Sequence, residues 1–335
     1  MGHRTHNAPR RGSLAYRPRM RRQRHVTRVR AWPQIDAEKP VFLGAVGFKA
    51  GSIHVITVDD RENLPNFGKP LFNQSTVIAC APFLLLGVRA YENTNYGLRV
   101  FADFSTETIP KNISKKMKFN TTKSSTENIE KIKNNIDKIH SFRGIVSTLP
   151  KNVGLSQKTP LISEIGISGG TIESQFEYLL SQLGKEFTIN DIFPVGSFVD
   201  AFGVTKGKGW QGPVKRFGIK KKESKSRKTV REVGTINPWK PTTVRYTVPR
   251  AGQMGFHQRL DRNKQIIFVG NENNKPITPS KGFDHFGVLR GDYIIVKGSV
   301  PGPNKRPVTL RQSFRPRDLK IPKILEVSTV QGEFE

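Results

Sequence analysis

The chain is 335 residues long and carries 56 Lys and Arg against 27 Asp and Glu, a formal net charge of +29 with an isoelectric point near 10.4. Such a charge points to a polyanionic partner and away from an ordinary metabolic enzyme, and the single cysteine, Cys80, excludes an internal disulfide and a cysteine zinc site. The longest apolar run, residues 77–88, is interrupted by Pro82 and falls short of the roughly 18–20 residues that cross a bilayer, so no membrane partner is expected.

Residues 1–40 hold ten Arg and one Lys against Asp36 and Glu38 and read as a basic N-terminal arm. No apolar stretch follows its charges, so it is not expected to be a secretory signal. Its candidate RNA-binding residues are Arg4, Arg10, Arg11, Arg17, Arg19, Arg21, Arg22, Arg24, Arg28 and Arg30. Arg is suited to that role because its planar fork grips phosphate bidentately and stacks on bases. Short β-rich runs follow over residues 41–105, punctuated by Gly, Pro and Asn, and read as the first part of a small closed barrel.

The pattern then changes to helical spacing. Ile129, Ile132, Ile136 and Ile139 follow one another behind Thr126 as a candidate cap, and Ile172, Phe176, Leu179, Leu180 and Leu183 form a second stripe ended by Gly184. Residues 106–189 are therefore an expected α/β subdomain inserted in the barrel. Residues 190–205 supply another barrel strand, and 263–335 the barrel's second part.

Residues 206–262 form a second basic segment, with sixteen cations against Glu223, Glu232 and Asp261. Like charges at this density repel, so each extension is expected to be held only at its root until a polyanion orders it. Candidate RNA-binding residues in this central finger are Lys206, Lys208, Trp210, Lys215, Arg216, Lys220, Lys221, Arg227, Lys228, Trp239, Arg245, Arg250, Gln253, His257 and Arg259. Tyr16, Trp32, Trp210, Phe217, Trp239, Tyr246 and Phe256 are interleaved with the charges and offer flat faces for unpaired bases.

Three motifs carry less than their spelling suggests. Residues 207–212 match G-x-G-x-x-G after a candidate strand, but the segment from Pro213 onward lacks the apolar-faced helix that would meet a pyrophosphate. No cofactor is expected. His257 has no nucleophile, orienting carboxylate or metal-ligand spacing beside it, so a hydrogen-bonding role fits it better than general-base catalysis. The acids Asp59, Asp60 and Glu62 sit where turn acids sit after a strand.

In this order, several strings resemble the universal large-subunit ribosomal protein of the L-three family, archaeal type. They are residues 3–19, 47–51 at an expected barrel turn, 203–212, 237–241 and 249–257. The resemblance implies a mainly β fold with an α/β insertion, a translation-protein-type β-barrel with two long basic extensions. It also implies early assembly on large-subunit ribosomal RNA near the peptidyl transferase centre, with neighbouring large-subunit ribosomal proteins as partners, no homo-oligomer and a cytoplasmic location. Trp239 matches the family's finger-tip tryptophan, and His257 a histidine that some eukaryotic members hydroxylate. Lys240 stands where eukaryotic members usually have His, which favours the archaeal branch. Two other readings compete: an RNA-modifying enzyme centred on His257, and a polybasic membrane-surface protein, for which the sequence offers no amphipathic helix.

Overall fold

The computed structural model describes residues 11–14, 16–106, 109–116, 122–317 and 320–329, of 122–124 and 329 the backbone alone. Strand is their main regular structure. In chain order the elements are β1 (Val41–Phe42), β2 (Gly44–Val58), β3 (Pro70–Cys80), β4 (Phe83–Thr94), β5 (Gly97–Ser105), α1 (Lys111–Ser114), α2 (Thr122–Asn134), β6 (Ile139–Thr148), β7 (Leu161–Ser168), α3 (Ile172–Gln182) and β8 (Glu186–Phe187). After these come β9 (Phe198–Val204), β10 (Gly207–Gln211), α4 (Pro213–Phe217), β11 (Gly252–Gly255), β12 (Gln258–Asn271), β13 (Asp292–Lys297), β14 (Pro307–Gln312) and β15 (Ile324–Thr329).

One sheet runs β14-β9-β12-β13-β3-β2-β15. Its β14 pairs with β2 as well as with β9, so the path through β2, β3, β13, β12, β9 and β14 returns to β2. This closure depends on β2, where the sequence suggests two strands and a turn. Residues 47–51 are instead a bulge inside one strand: the register against β3 slips between Lys49 and Gly51. Gly44–Phe48 pair with β14 before the bulge, and Ile53–Thr57 with β15 after it. Gly51 is required there, because a β-carbon would come within 2.4 Å of the Phe283 ring.

The second sheet runs β1-β7-β6-β4-β5, with β8 on β4. Residues 83–105, expected in the barrel, thus pair with the insertion instead. Pro82 follows the end of β3 and has no amide to continue the ladder, so the chain changes sheets at that point. Phe83, Leu85, Val88 and Ala90 of β4 join one core with Phe176 and Leu179 of α3. The α3 stripe forms the helix its spacing predicts: Thr171 caps it by accepting the Ser174 amide at 3.2 Å, and Gly184 follows it at φ +80°. The other stripe divides. Its helix starts before Thr126, Ile136 lies in a 3-10 turn and Ile139 opens β6, because Ile suits a buried strand as well as a helix face.

The chain divides into two compact units: residues 1–24 with 204–258, here the head, and 25–203 with 259–335, the body. Residues 25–35 are anchored along the body and not only at a root. Thr27 and Val29 are buried while Arg28 and Arg30 face out. The Thr27 hydroxyl donates to Thr309 at 2.9 Å, and Ala31 offers its carbonyl to Arg311 at 2.8 Å. Trp32 packs so closely on Gly44 and Gly166 that a β-carbon at either would come within 2.9 or 2.4 Å of its ring.

Candidate nucleic-acid interface

The head is built on a two-stranded sheet. β10 and β11 pair antiparallel, Gly207 with Gly255 and Trp210 with Gln253. Gly255 has φ +74°, and a β-carbon there would collide with the Lys206 carbonyl, so only glycine closes this pair. The glycine-rich string 207–212 is therefore one strand of an antiparallel pair, with Gly212 leading into the next helix. The chain continues into α4, five residues started by Pro213 and stopped by Gly218 in the left-handed region. A dinucleotide fold needs a long helix and a parallel neighbouring strand at that point.

Phe217, at the end of α4, is buried and organises the arginines. The guanidinium carbons of Arg17, Arg19 and Arg216 lie 4.8, 4.3 and 5.1 Å from its ring centroid. Arg17 donates through Nη1 to the Tyr246 carbonyl at 2.8 Å, and Arg19 through Nη1 to the Arg216 carbonyl at 2.9 Å. Arg216 donates to the carbonyls of Gln253 (2.9 Å) and Arg250 (3.0 Å). These bonds satisfy donors without neutralising charge. Burial and the neighbouring Arg17 push the Arg216 pKa down.

The body treats its interior arginines differently. Arg311 meets Asp200 at 2.5 Å, Arg89 bridges Glu164 and Asp103, and Arg143 reaches Glu164 at 3.5 Å. The described residues of the head contain only two acids, Glu223 and Glu232, among twenty Lys and Arg. Glu232 is bridged to Lys222 at 3.5 Å, across a loop that the Lys222 amide also closes onto Val230.

His257 is buried. Its Nδ1 stands 3.0 Å from the Met20 carbonyl, to which it can only donate, and its amide and carbonyl bond to Thr205. The Arg22 amide donates to the Phe256 carbonyl and Arg21 covers the Phe256 ring at 5.1 Å, so residues 20–22 of the arm are stitched to the two residues between β11 and β12. No group of His, Cys, Asp or Glu among the described residues could hold a metal. Nor is any described helix long and apolar enough to cross a membrane.

The expected site residues sort by placement. Arg4 and Arg10 lie outside the described residues. In the head, Arg11, Arg21, Arg24, Lys206, Lys208, Trp210, Lys215, Lys220, Lys221, Arg227, Lys228, Trp239, Arg245 and Arg250 are exposed. Arg17, Arg19, Arg22, Arg216 and Gln253 are half-buried, and Gln253 commits its side-chain amide to the carbonyls of Met254 and Gly255. Arg28, Arg30 and Arg259 belong to the body.

The interleaved aromatics also divide. Trp210, Trp239 and Tyr246 are 77, 88 and 73% exposed, which leaves whole ring faces open to a base, and Tyr16 is exposed too. Phe217 and Trp32 are packing residues, contrary to the expectation that they stack on bases. Gly12 is fitted against the Phe217 ring and Gly44 and Gly166 against the Trp32 ring, a signal the sequence carries only as unexplained glycines. Sequence reasoning also passed over the carbonyl of Met20, which fixes His257, and Pro18, which lies beside Arg17.

The family model described as Ribosomal protein L3 matches residues 1–327. Curated relatives include large ribosomal subunit proteins uL3 of three archaea. That of Methanothermobacter thermautotrophicus is 39% identical over 98% of both chains. Those of Archaeoglobus fulgidus and Methanocaldococcus jannaschii are each 41% identical, over 93% and 98% of both chains.

Proposed function

The chain belongs to the ribosomal protein L3 family, and from that premise we propose that it binds large-subunit ribosomal RNA through its head, nucleates early assembly and supports RNA near the peptidyl transferase centre. It is a structural constituent of the large ribosomal subunit, in the cytoplasm, and not an enzyme. The reading of His257 as the centre of an RNA-modifying enzyme is thereby overturned: its imidazole is committed to the Met20 carbonyl inside the head.

One observation carries the RNA reading. The half-buried arginines Arg17 and Arg216 hydrogen-bond to carbonyls, where Arg89, Arg143 and Arg311 of the body face carboxylates, so the head keeps its positive charge available to phosphates. Exposed cations hold the backbone, while Trp210 and Trp239 offer faces to unpaired bases, with Trp239 on the peptidyl transferase side. The returning strand path β2-β3-β13-β12-β9-β14 supports reading the first sheet as the translation-protein-type barrel. Of the two extensions read over residues 1–40 and 206–262, the parts that enter RNA are then 1–24 and 206–258, and neighbouring ribosomal proteins meet the body, one copy of this chain to each subunit.

Salt dependence tests this. If the head and arm engage ten phosphates, the logarithm of the RNA-binding constant falls with the logarithm of salt concentration at a slope of about −7 or steeper. Filter binding to large-subunit ribosomal RNA across a salt series measures it, and a flat response overturns the proposal.

A further inference from the structure

Arg17, Pro18, Arg19, Arg216 and Tyr246 line a cavity of about 420 Å³ in the head. Three of the five are cations and none is an acid. Arg17 uses one nitrogen, Nη1, on the Tyr246 carbonyl. Its Nε and Nη2 are buried and have no hydrogen-bond partner in the protein. Those two nitrogens form the side edge of the guanidinium, the edge whose parallel N–H groups match two oxygens of one phosphate.

Packing alone does not account for this arrangement. A residue needed only to cover Phe217 would use an apolar stem, whereas a buried donor left unsatisfied is destabilising. Gathering the like-charged Arg17 and Arg216 at one ring adds to that cost, and burial already depresses the Arg216 pKa. An anion in the cavity offsets the repulsion and, once the Arg17 side chain turns its buried edge toward it, satisfies that edge. Tyr246, largely exposed, adds an open ring face at the same cavity, so the group admitted can still be attached to its nucleoside.

We propose that this cavity is a socket for one phosphodiester of the large-subunit RNA, gripped by the free edge of Arg17 with Arg19 and Arg216 around it. The assignment rests on the reading that the head binds ribosomal RNA. Most cations of the head face solvent and suit the diffuse neutralisation of many phosphates. The socket instead selects a single phosphate and thereby fixes the register of the RNA on the head.

Phosphate-ethylation interference tests it, using the full chain and the organism's own large-subunit ribosomal RNA. For the wild type, ethylation of one particular phosphate blocks binding. For Arg17→Gln that modification becomes neutral, affinity falls about tenfold, and the salt slope becomes shallower by about 0.7. If Arg17→Gln melts below the assay temperature, Arg17→Lys carries the interference and affinity arms, since it keeps the stem over Phe217 and the charge but loses the fork, and the salt slope then stays as in the wild type. Wild-type binding that is salt-dependent, with an interference map the substitutions leave unchanged, overturns the socket and leaves RNA binding by the head standing. Wild-type binding without salt dependence fails the underlying reading instead. In a parallel titration without RNA, stabilisation of the wild type by inorganic phosphate, with no RNA phosphate lost from the Arg17→Gln map, would assign the cavity to a free anion and overturn the RNA assignment.

Discussion

His257 donates from Nδ1 to the Met20 carbonyl, while the Arg22 amide donates to the Phe256 carbonyl one residue away. These bonds fasten the arm to the residues that join β11 to β12, and His257 supplies the only side chain among them. Replacing it by alanine should cost the head about 1 kcal/mol and speed hydrogen exchange at the Arg22 amide, while the melting of the body stays unchanged. Unaltered exchange at Arg22 would show that the arm is held by other contacts. Asp59 illustrates a different use of a polar side chain, charge that sets a turn. Its carboxylate accepts the Arg61 amide, Nε and Nη2 at 3.2, 2.8 and 2.6 Å, which holds its pKa well below the usual value of 3.8, at about 2. The folded-state pKa is depressed, so this stabilisation is complete above about pH 4 and is lost as pH falls through 2. Titration of the Asp59 carboxyl by NMR should find that midpoint, and Arg61→Ala should move it back toward 3.8.

Most strands outside residues 106–189 were legible, because β-branched and aromatic runs between Gly, Pro and Asn leave little choice of backbone, whereas β6 and β7 were not, since the Ile spacing ahead of them reads as a helix stripe. Which sheet each strand joins was not legible. β4 has the same composition as the strands of the first sheet, and its membership of the second is decided by the break at Pro82 and by the α3 side chains it covers. The arginine arrangement of the head was hidden for another reason. Arg19 finds its partner 197 residues away and Arg17 229 residues away, and both partners are backbone carbonyls, which any residue type provides. The elements of the body are tied by a pair that sequence also conceals, Arg311 on β14 and Asp200 on β9. Both are almost fully buried, Asp200 also accepts the Asn263 amide, and Arg311 lies over Phe202 and Phe314. Arg311→Ala leaves the Asp200 charge without its partner and should cost about 3–5 kcal/mol. Exchanging both residues for apolar ones of similar size should recover much of that loss in urea unfolding. Equal losses in the single and double variants would deny the coupling.

At the scale of the whole molecule, the first forty residues serve both units. Residues 11–24 belong with the head, where Arg17 and Arg19 pack on Phe217, while 25–35 lie in the body. Two truncations should therefore behave differently. Removing residues 1–24 takes phosphate-binding charge and the Phe217 cover away from the head but leaves every contact of Thr27, Val29, Ala31 and Trp32 in place. The body should melt as the full chain does, and incorporation into large subunits, followed on sucrose gradients, should fall. Removing residues 1–35 also takes Trp32 from its seat on Gly44 and Gly166 and the Ala31 carbonyl from Arg311. Loss of a packed tryptophan alone costs about 3–5 kcal/mol, so this second truncation should lower the melting temperature of the body itself. If both truncations left the body equally stable, residues 25–35 would rest on the body without supporting it. If instead the shorter truncation already destabilised the body, the division of the arm at Arg24 would be wrong. The expected result, assembly lost before stability, assigns the outer arm to RNA and the inner arm to the fold.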